Sequence, residues 1–269
     1  YYAMQFIDGY PLDEVIRCAR EGPSCSPHES GEQTVPRLDW QAAVQHIVHA
    51  AAALHHAHQN GIVHRDIKPS NLLLDRADKI WITDFGLARS QHNQSLTCSG
   101  DLVGTMRYMS PEQALGRSEW VDHRTDVYSL GATLYELLSL QPAMLGDHTA
   151  ELLQAIENSQ PVSLRKLRPD LPADLSVVLS KAMAKRRDDR YETALQFSQD
   201  LTAVLEQRPT LAQPLAWSTL VARWMNAHRP LVGWAAVAIL FAWIGLAISS
   251  ARIAHQEQLA ELMARPIQA

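Results

Sequence analysis

The stretch HRDIKPSN at residues 64–71 places a guanidinium, a carboxylate, an ammonium and an amide close together in the chain. Asp66 can accept or orient the proton of a hydroxyl, Lys68 can neutralise charge on a transferring phosphoryl group, and Asn71 offers an oxygen to Mg²⁺. A solvated polar loop could share this pattern by chance. Asp84-Phe85-Gly86, however, begins eighteen positions after Asp66 and supplies the second carboxylate that a metal held by Asn71 would need. The two segments together predict chemistry on a metal-bound polyphosphate.

These segments resemble three motifs of the protein kinase family. Residues 64–71 match its H-R-D-x-K-x-x-N catalytic loop, Asp84-Phe85-Gly86 matches D-F-G, and Ser110-Pro111-Glu112 resembles A-P-E with Ser in place of Ala. Lys68 resembles the serine/threonine branch, and the full set resembles bacterial membrane-anchored kinases of the planctomycete and PASTA-type receptor class. The resemblance covers residues 1–207. It implies an α+β fold, namely the hinge and large lobe of a kinase, mainly α-helical with short β-hairpins.

The resemblance also implies ATP and Mg²⁺ as cofactors and serine or threonine hydroxyls of proteins as substrates. Asp66 would be the catalytic base, Lys68 the charge stabiliser, and Asn71 and Asp84 the metal ligands, with Asp84 also at the nucleotide. Further residues would contact the adenine through the hinge or form the floor beneath it: Met4, Gln5, Ile7 and Leu73.

Residues 87–109 correspond to the activation segment of that family and are rich in serine and threonine. A phosphate on Thr97 or Ser99 would carry about −1.5 to −2 charges and could pair with Arg65, ordering the segment. Thr105 resembles the family's threonine that contacts the catalytic Asp and Lys. A solvated loop without regulation explains the composition equally well.

Three residues have structural roles by the same resemblance. Asp126, which leads a predicted buried helix, would hydrogen-bond the backbone of the 64–71 loop. Glu112 would pair with Arg190. One departure from the family is Arg187, which stands where a proline is common.

Hydrophobic periodicity and turn residues predict the secondary structure. The predicted elements are a strand at 1–7 that enters a turn at Asp8-Gly9, helices at 11–19, 38–60 and 122–140, and a β-hairpin formed by 72–74 and 80–82. The helix at 38–60 contains several histidines, but an i, i+3 pair supplies only two metal ligands, so a helix that happens to be rich in histidine is the simpler interpretation.

Composition excludes some functions. The chain has 269 residues, 46% of them hydrophobic, which is enough for a core. Its net charge of −5 and the lack of a basic run give no reason to expect nucleic acid binding. The cysteines, Cys18, Cys25 and Cys98, are irregularly spaced and are expected to be reduced thiols.

The part of the sequence beyond residue 207 predicts a membrane anchor. Residues 208–230 form a juxtamembrane linker, and residues 231–250 contain no charged side chain over a helical length of about 30 Å, so a single transmembrane helix is expected there. A need for ATP would place the kinase domain, 1–207, in the cytoplasm and the helical stub, 251–269, outside the cell membrane. Receptor kinases of this type commonly act as homodimers.

No glycine-rich phosphate loop and no strand lysine of a kinase small lobe occur in this sequence. The small lobe is therefore expected to lie upstream, or else the polypeptide is a truncated or pseudokinase-like membrane scaffold without phosphoryl transfer. A third interpretation is a small-molecule phosphotransferase of the aminoglycoside or choline type. Those enzymes share a catalytic Asp and a metal-binding Asn, but they lack the P-E segment and the helix led by Asp126.

Overall fold

The computed structural model describes residues 7–22, 35–36, 38–85 and 104–212. The expectations for Met4, Gln5, Thr97, Ser99 and residues 208–269 therefore fall wholly or almost wholly outside it. The chain divides into two units, Tyr1–Gln213 and Pro214–Ala269, and the second lies entirely outside the described residues. Within the part that is described, no helix is both long enough and apolar enough to span a membrane.

The described chain is mainly helical and carries one small sheet, which confirms the predicted α+β class. The α-helices are α1 (Leu12–Glu21), α2 (Trp40–Gln59), α3 (Pro111–Ala114), α4 (Arg124–Ser139), α5 (Thr149–Asn158), α6 (Leu164–Leu167), α7 (Ala173–Ala182) and α8 (Ala194–Leu205). Short 3₁₀ turns lie at Pro69–Asn71, Ser118–Trp120 and Arg187–Asp189. The strands are β1 (Gly9–Pro11), β2 (Leu72–Asp75) and β3 (Ile80–Ile82).

Helix α2 leads the chain to the 64–71 loop and confirms the helix predicted at 38–60. Its first turn is capped by the Asp39 carboxylate, which accepts a 2.7 Å hydrogen bond from the Ala42 amide. Gly61, at φ 72°, follows the helix in the left-handed conformation that favours glycine. Val44 and Leu54 are fully buried, because α2 packs along α8 and against α4.

Helix α4 is buried along nearly its whole length and confirms the helix predicted at 122–140. It approaches α7 closely at Gly131, where an added Cβ would lie 3.0 Å from the Cβ of Ala182. The main core is formed by apolar side chains of α2, α4, α7 and α8, among them Ile47, Leu134, Val178 and Phe197. Helix α4 thus carries Asp126 on a rigid support.

The sheet is antiparallel in the order β1-β2-β3. Strands β2 and β3 form the predicted hairpin, in which Leu72 lies opposite Ile82 and Leu74 opposite Ile80. The Asp75 carboxylate closes the turn by accepting hydrogen bonds from the amides of Ala77 and Lys79. Asn71 immediately precedes β2 and Asp84 closely follows β3. The hairpin therefore determines how the backbones of these two residues are placed relative to each other.

The predicted turn at Asp8-Gly9 is wrong at Gly9, which begins strand β1 and pairs with Asp75. The backbones approach so closely that a Cβ on Gly9 would collide with the carbonyl oxygen of Leu74. Gly9 is therefore needed for strand contact, and a single sequence does not distinguish this use of glycine from a turn. Pro11 is tolerated because β1 lies at the edge of the sheet formed by the described residues.

The expectation of reduced thiols is wrong for Cys18, which is disulfide-bonded. Cys25 and Cys98 both lie outside the described residues. A disulfide requires the two Cβ atoms to approach within about 3.5–4.5 Å, a distance that depends on the fold of the backbone and not on cysteine spacing.

Helix α8 ends in a reversal that brings the chain back onto the lobe. The buried Asp200 carboxylate accepts hydrogen bonds from the amides of Leu211 (2.6 Å) and Ala212 (2.8 Å). It also accepts a 2.8 Å bond from the Tyr191 hydroxyl, whose pKa is raised by burial and by that carboxylate. Packed structure therefore continues to Ala212, beyond the last turn of α8.

Candidate active site

Asp126 connects the core helix α4 to the 64–71 loop. Its fully buried carboxylate accepts a hydrogen bond from the His64 amide at 2.9 Å and from the Arg65 amide at 2.8 Å. The ring Nε2 of His58, near the end of α2, lies 2.8 Å from the same carboxylate. These are the backbone contacts that the family resemblance implied for Asp126, and His58 adds a contact that the resemblance had not supplied.

Arg65 has a left-handed backbone with φ 70°. That conformation is uncommon for a residue with a long side chain, and such strain costs about 1–3 kcal/mol unless the surroundings impose it. The bond from its amide to Asp126 is one such constraint. Because Arg65 directly precedes Asp66, its backbone conformation sets where the Asp66 carboxylate points.

His64 joins the loop to the segment that follows β3. Its ring Nε2 lies 2.8 Å from the Thr83 carbonyl oxygen, and its Nδ1 accepts a 3.3 Å hydrogen bond from the Asp66 amide. Since a carbonyl only accepts and an amide only donates, the ring is the tautomer protonated on Nε2. The ring also meets Phe85 edge-on, with 4.7 Å between centroids.

The structure brings Asp66, Lys68 and Asn71 together. The Lys68 Nζ lies 3.0 Å from the Asp66 Oδ2 and 3.2 Å from the Thr105 hydroxyl. The Asn71 Nδ2 donates to the Asp66 carbonyl oxygen at 2.8 Å and to its Oδ2 at 3.1 Å. Both bonds use the nitrogen of the Asn71 amide, which leaves the oxygen of that amide as the group that can ligate a cation.

Asp84 is exposed and has φ 62°, a conformation that aspartate tolerates better than most residues. The preceding residue, Thr83, donates its amide to the Asn71 carbonyl oxygen at 3.0 Å. This bond places Asn71 and Thr83, the residue before Asp84, at the same end of the hairpin. An amide oxygen and carboxylates are donors that suit Mg²⁺. Within the described residues, no group of three or more His, Cys, Asp or Glu is placed so that it could hold a metal ion. The Asn71 amide oxygen and the Asp84 carboxylate are oxygen donors of the kind that Mg²⁺ takes together with the phosphates of a nucleotide.

Glu112 and Arg190 form a buried pair behind the loop. The Arg190 guanidinium donates to both carboxylate oxygens of Glu112, at 2.6 and 2.7 Å, and the Thr125 hydroxyl donates to one of them at 2.8 Å. Burial raises the pKa of the Glu112 carboxyl, but the bonds and charge of Arg190 outweigh it and hold the pKa below its usual value. The pair fixes α3, which directly follows the segment that carries Thr105.

Two further residues of the predicted site lie in the sheet or next to it. Leu73 lies in β2 between Pro11 and Trp81, and Ile7 precedes β1. Both are partly buried, and their contacts with adenine remain predictions.

A pocket of about 310 Å³ opens between Trp40 and Leu205. It lies at the start of the 20-residue helix α2, whose length of about 30 Å separates it from the end that leads to the 64–71 loop.

Two residues near the loop were not singled out for function by sequence. In the sequence, His58 continues the apolar spacing of Ile47, Ala51 and Leu54 along α2, and a polar side chain on such a face is itself a signal of a buried partner. Gln113 donates its Nε2 to the Arg65 carbonyl oxygen at 2.7 Å. The spacing of Ser110 and Gln113 is that of an S-x-x-Q helix-capping box, which the sequence displays.

Comparison with known proteins agrees with this geometry. The family model described as "Protein kinase domain" matches residues 13–218. Serine/threonine-protein kinase PknB of Mycobacterium tuberculosis is 36% identical over 211 residues, covering 78% of this chain and 31% of that protein. PknB of Mycolicibacterium smegmatis is 36% identical over 208 residues, covering 77% and 30%. The probable serine/threonine-protein kinase SCO3848 of Streptomyces coelicolor is 33% identical over 211 residues, covering 78% and 29%.

The matched region thus spans less than a third of the length of each of these relatives. Within that region, the loop at 64–71, the carboxylate that follows β3 and the pair of Glu112 with Arg190 stand together in one lobe. The chain belongs to the protein kinase family.

Proposed function

We propose that this protein is a serine/threonine protein kinase that transfers the γ-phosphoryl group of ATP to serine or threonine hydroxyls of proteins. The observation that carries the proposal is the convergence of the Lys68 ammonium and the Asn71 amide on the Asp66 carboxylate, at 3.0 and 3.1 Å. The names of the similar proteins support the serine/threonine class.

Each residue has a defined part in this chemistry. Asp66 orients the attacking hydroxyl and accepts its proton. Lys68, held between Asp66 and Thr105, places a positive charge beside that carboxylate, where it can neutralise charge on the phosphoryl group in transit. Asn71 and Asp84 would hold Mg²⁺, which when bound neutralises the nucleotide phosphates. Asp126 keeps the loop fixed so that these groups need no rearrangement.

The proposal extends to location and control. Residues 231–250 would anchor the protein once in the cell membrane, with the kinase domain in the cytoplasm and residues 251–269 on the other side. Phosphorylation of Thr97 or Ser99 would give Arg65 an anionic partner and order the activation segment. Homodimerisation would favour phosphorylation between copies. The uncharged composition of 231–250 supports the membrane anchor, and the position of Arg65 beside Asp66 supports control by phosphorylation.

Substitution Asp66→Asn tests the function. The substitution is made in the complete gene product, and phosphate transfer from labelled ATP to the protein itself is measured with Mg²⁺ present. We expect labelling to be abolished, because the amide cannot accept the hydroxyl proton. Asp174→Asn, at an exposed position, is the control and should leave labelling unchanged.

Unaltered labelling in the Asp66→Asn variant would refute phosphoryl transfer by this site. If the wild-type protein shows neither labelling nor Mg-ATP binding by calorimetry, the alternative of a membrane scaffold without phosphoryl transfer is favoured. Labelling of a small aminoglycoside or choline-like acceptor, and of no protein, would favour the small-molecule phosphotransferase.

A further inference from the structure

Gln113 bridges the end of the activation segment and the 64–71 loop. Its Oε1 accepts a 3.3 Å hydrogen bond from the Ser110 amide, and its Nε2 donates a 2.7 Å bond to the Arg65 carbonyl oxygen. A backbone amide only donates and a backbone carbonyl only accepts, so these partners fix the orientation of the side-chain amide without ambiguity. Each end of the Gln113 amide therefore has its own partner.

The bond to Arg65 acts on a strained part of the loop. Asp126 holds the amide of Arg65 at 2.8 Å, and Gln113 holds its carbonyl group, so the residue is fixed on both sides. Left-handed backbone at a residue such as arginine persists only where surrounding contacts impose it. The carbonyl group of Arg65 belongs to the same peptide unit as the amide of Asp66, so the orientation of that group is also the orientation of the chain entering Asp66.

The other end of Gln113 is tied to the buried pair behind α3. The Ser110 hydroxyl lies 3.1 Å from the Thr125 hydroxyl, which donates to Glu112. Glu112 is held in turn by Arg190. This network belongs to the buried core, so it holds Gln113 in place, and Gln113 in turn holds the loop.

We propose that Gln113 is a positioning residue for phosphoryl transfer, which acts on Asp66 by holding the carbonyl group of the left-handed Arg65. The proposal rests on the proposed kinase function. It assigns to the residue after Ser110-Pro111-Glu112 a role in the rate of the chemical step, in addition to its part in capping helix α3.

The chain offers a matched control in Gln196. This residue occupies the third position of helix α8, as Gln113 does in α3. Its side-chain Oε1 accepts a 3.1 Å bond from the Glu192 amide, and its backbone amide donates to the Thr193 hydroxyl. Both glutamines are partly buried, and each accepts a bond from a backbone amide at the start of its helix, that of the N-cap residue Ser110 for Gln113 and that of Glu192, one residue before the N-cap, for Gln196. Gln196 has no contact with the 64–71 loop among its described hydrogen bonds, so a comparison of the two separates capping from positioning.

The experiment compares Gln113→Glu and Gln113→Leu with Gln196→Glu and Gln196→Leu in the complete gene product. Gln113→Glu keeps the acceptor for Ser110 but sets a carboxylate oxygen against the Arg65 carbonyl oxygen. We expect the Gln113 variants to lose about tenfold in kcat, the factor that roughly 1.4 kcal/mol of lost hydrogen bonding corresponds to. The KM for Mg-ATP should stay within twofold of the wild-type value, and the Gln196 variants should retain wild-type kcat.

Hydrogen exchange at the Asp66 amide gives a second readout that does not depend on activity. It should be faster in both Gln113 variants and unchanged in both Gln196 variants. The proposal is overturned if kcat of the Gln113 variants matches that of the wild type, or if these variants alone fail to fold, since the role would then be structural. An inactive wild-type protein would refute the kinase function, whereas unchanged hydrogen exchange in Gln113→Glu would refute the positioning role.

Discussion

Substitution Glu112→Gln is expected to destabilise the lobe strongly, because it leaves a buried guanidinium without its anion. The Arg190 side chain is fully buried and that of Glu112 is 7% exposed. Arg190 also donates to three carbonyl groups, those of Arg124, Ala184 and Lys185, so it cannot turn toward solvent without losing them. Breaking a buried pair on one side typically costs about 3–5 kcal/mol.

The lower end of that range applies here, since glutamine can still accept one bond from Arg190 and one from Thr125. A loss of about 3 kcal/mol corresponds to a fall in melting temperature of about 6–12 °C for a domain of this size. Urea unfolding followed by circular dichroism measures the free-energy change directly.

Asp170→Asn is the matched control. Asp170 also forms a two-bond pair with an arginine, Arg168, at 2.7 and 2.9 Å, but their side chains are 58% and 38% exposed. This substitution should leave the free energy of unfolding nearly unchanged, because water screens an exposed ion pair. Equal effects of the two substitutions would show that burial does not determine the strength of the pair.

The same pair predicts a pH dependence. Because the pKa of Glu112 is lowered in the folded protein, its contribution to stability is present above its usual pKa near 4.5 and is lost as the pH falls through the lowered value. Stability of the wild-type protein should therefore fall more steeply than that of Glu112→Gln on acidification below pH 4.5. Parallel curves would contradict the assigned pairing.

Three further outcomes are expected. Gly131→Ala should destabilise the protein by about 1–3 kcal/mol in urea unfolding, because the added Cβ meets Ala182 at 3.0 Å. This crowding exceeds the gain in helix propensity of about 1 kcal/mol. A more stable variant would contradict the close approach of α4 and α7. Leu54→Ala should cost about 2–5 kcal/mol in the same assay because Leu54 is fully buried, and a loss below 1 kcal/mol would show that α2 does not pack as described. Burial and the nearby Arg190 charge lower the pKa of Lys185 to about 8, so the unfolded chain holds this proton between about pH 8 and 10.5 while the folded chain releases it. Stability contributed by this group should rise with pH over that window, and Lys185→Met should remove the rise when unfolding is measured at pH 7.5 and 9.5.

Local patterns in the sequence were sufficient for the elements that surround the loop. Apolar spacing predicted α2 and α4, and two apolar runs around a polar turn predicted the hairpin of β2 and β3. These features depend on neighbouring residues along the chain, so one sequence contains the information. The pairing of Gly9 with Asp75 depends on segments more than 60 positions apart, and no local pattern predicts it.

The same distinction applies to the site. Asp66, Lys68 and Asn71 lie within six positions of one another, and their convergence was predicted from motif resemblance. The contact of His58 with Asp126 joins residues 68 positions apart, and that of Gln113 with Arg65 joins residues 48 apart. Periodicity and capping patterns indicate that such side chains have partners, but only the fold identifies those partners.

The buried Asp200 determines where this lobe can be shortened. Its carboxylate depends on the amides of Leu211 and Ala212 for two of its three hydrogen bonds. Trimming the chain at the end of α8 would leave an anion in the interior with only the Tyr191 hydroxyl to solvate it. A shortened lobe in which Asp200 keeps all three of these hydrogen bonds must therefore extend to Ala212.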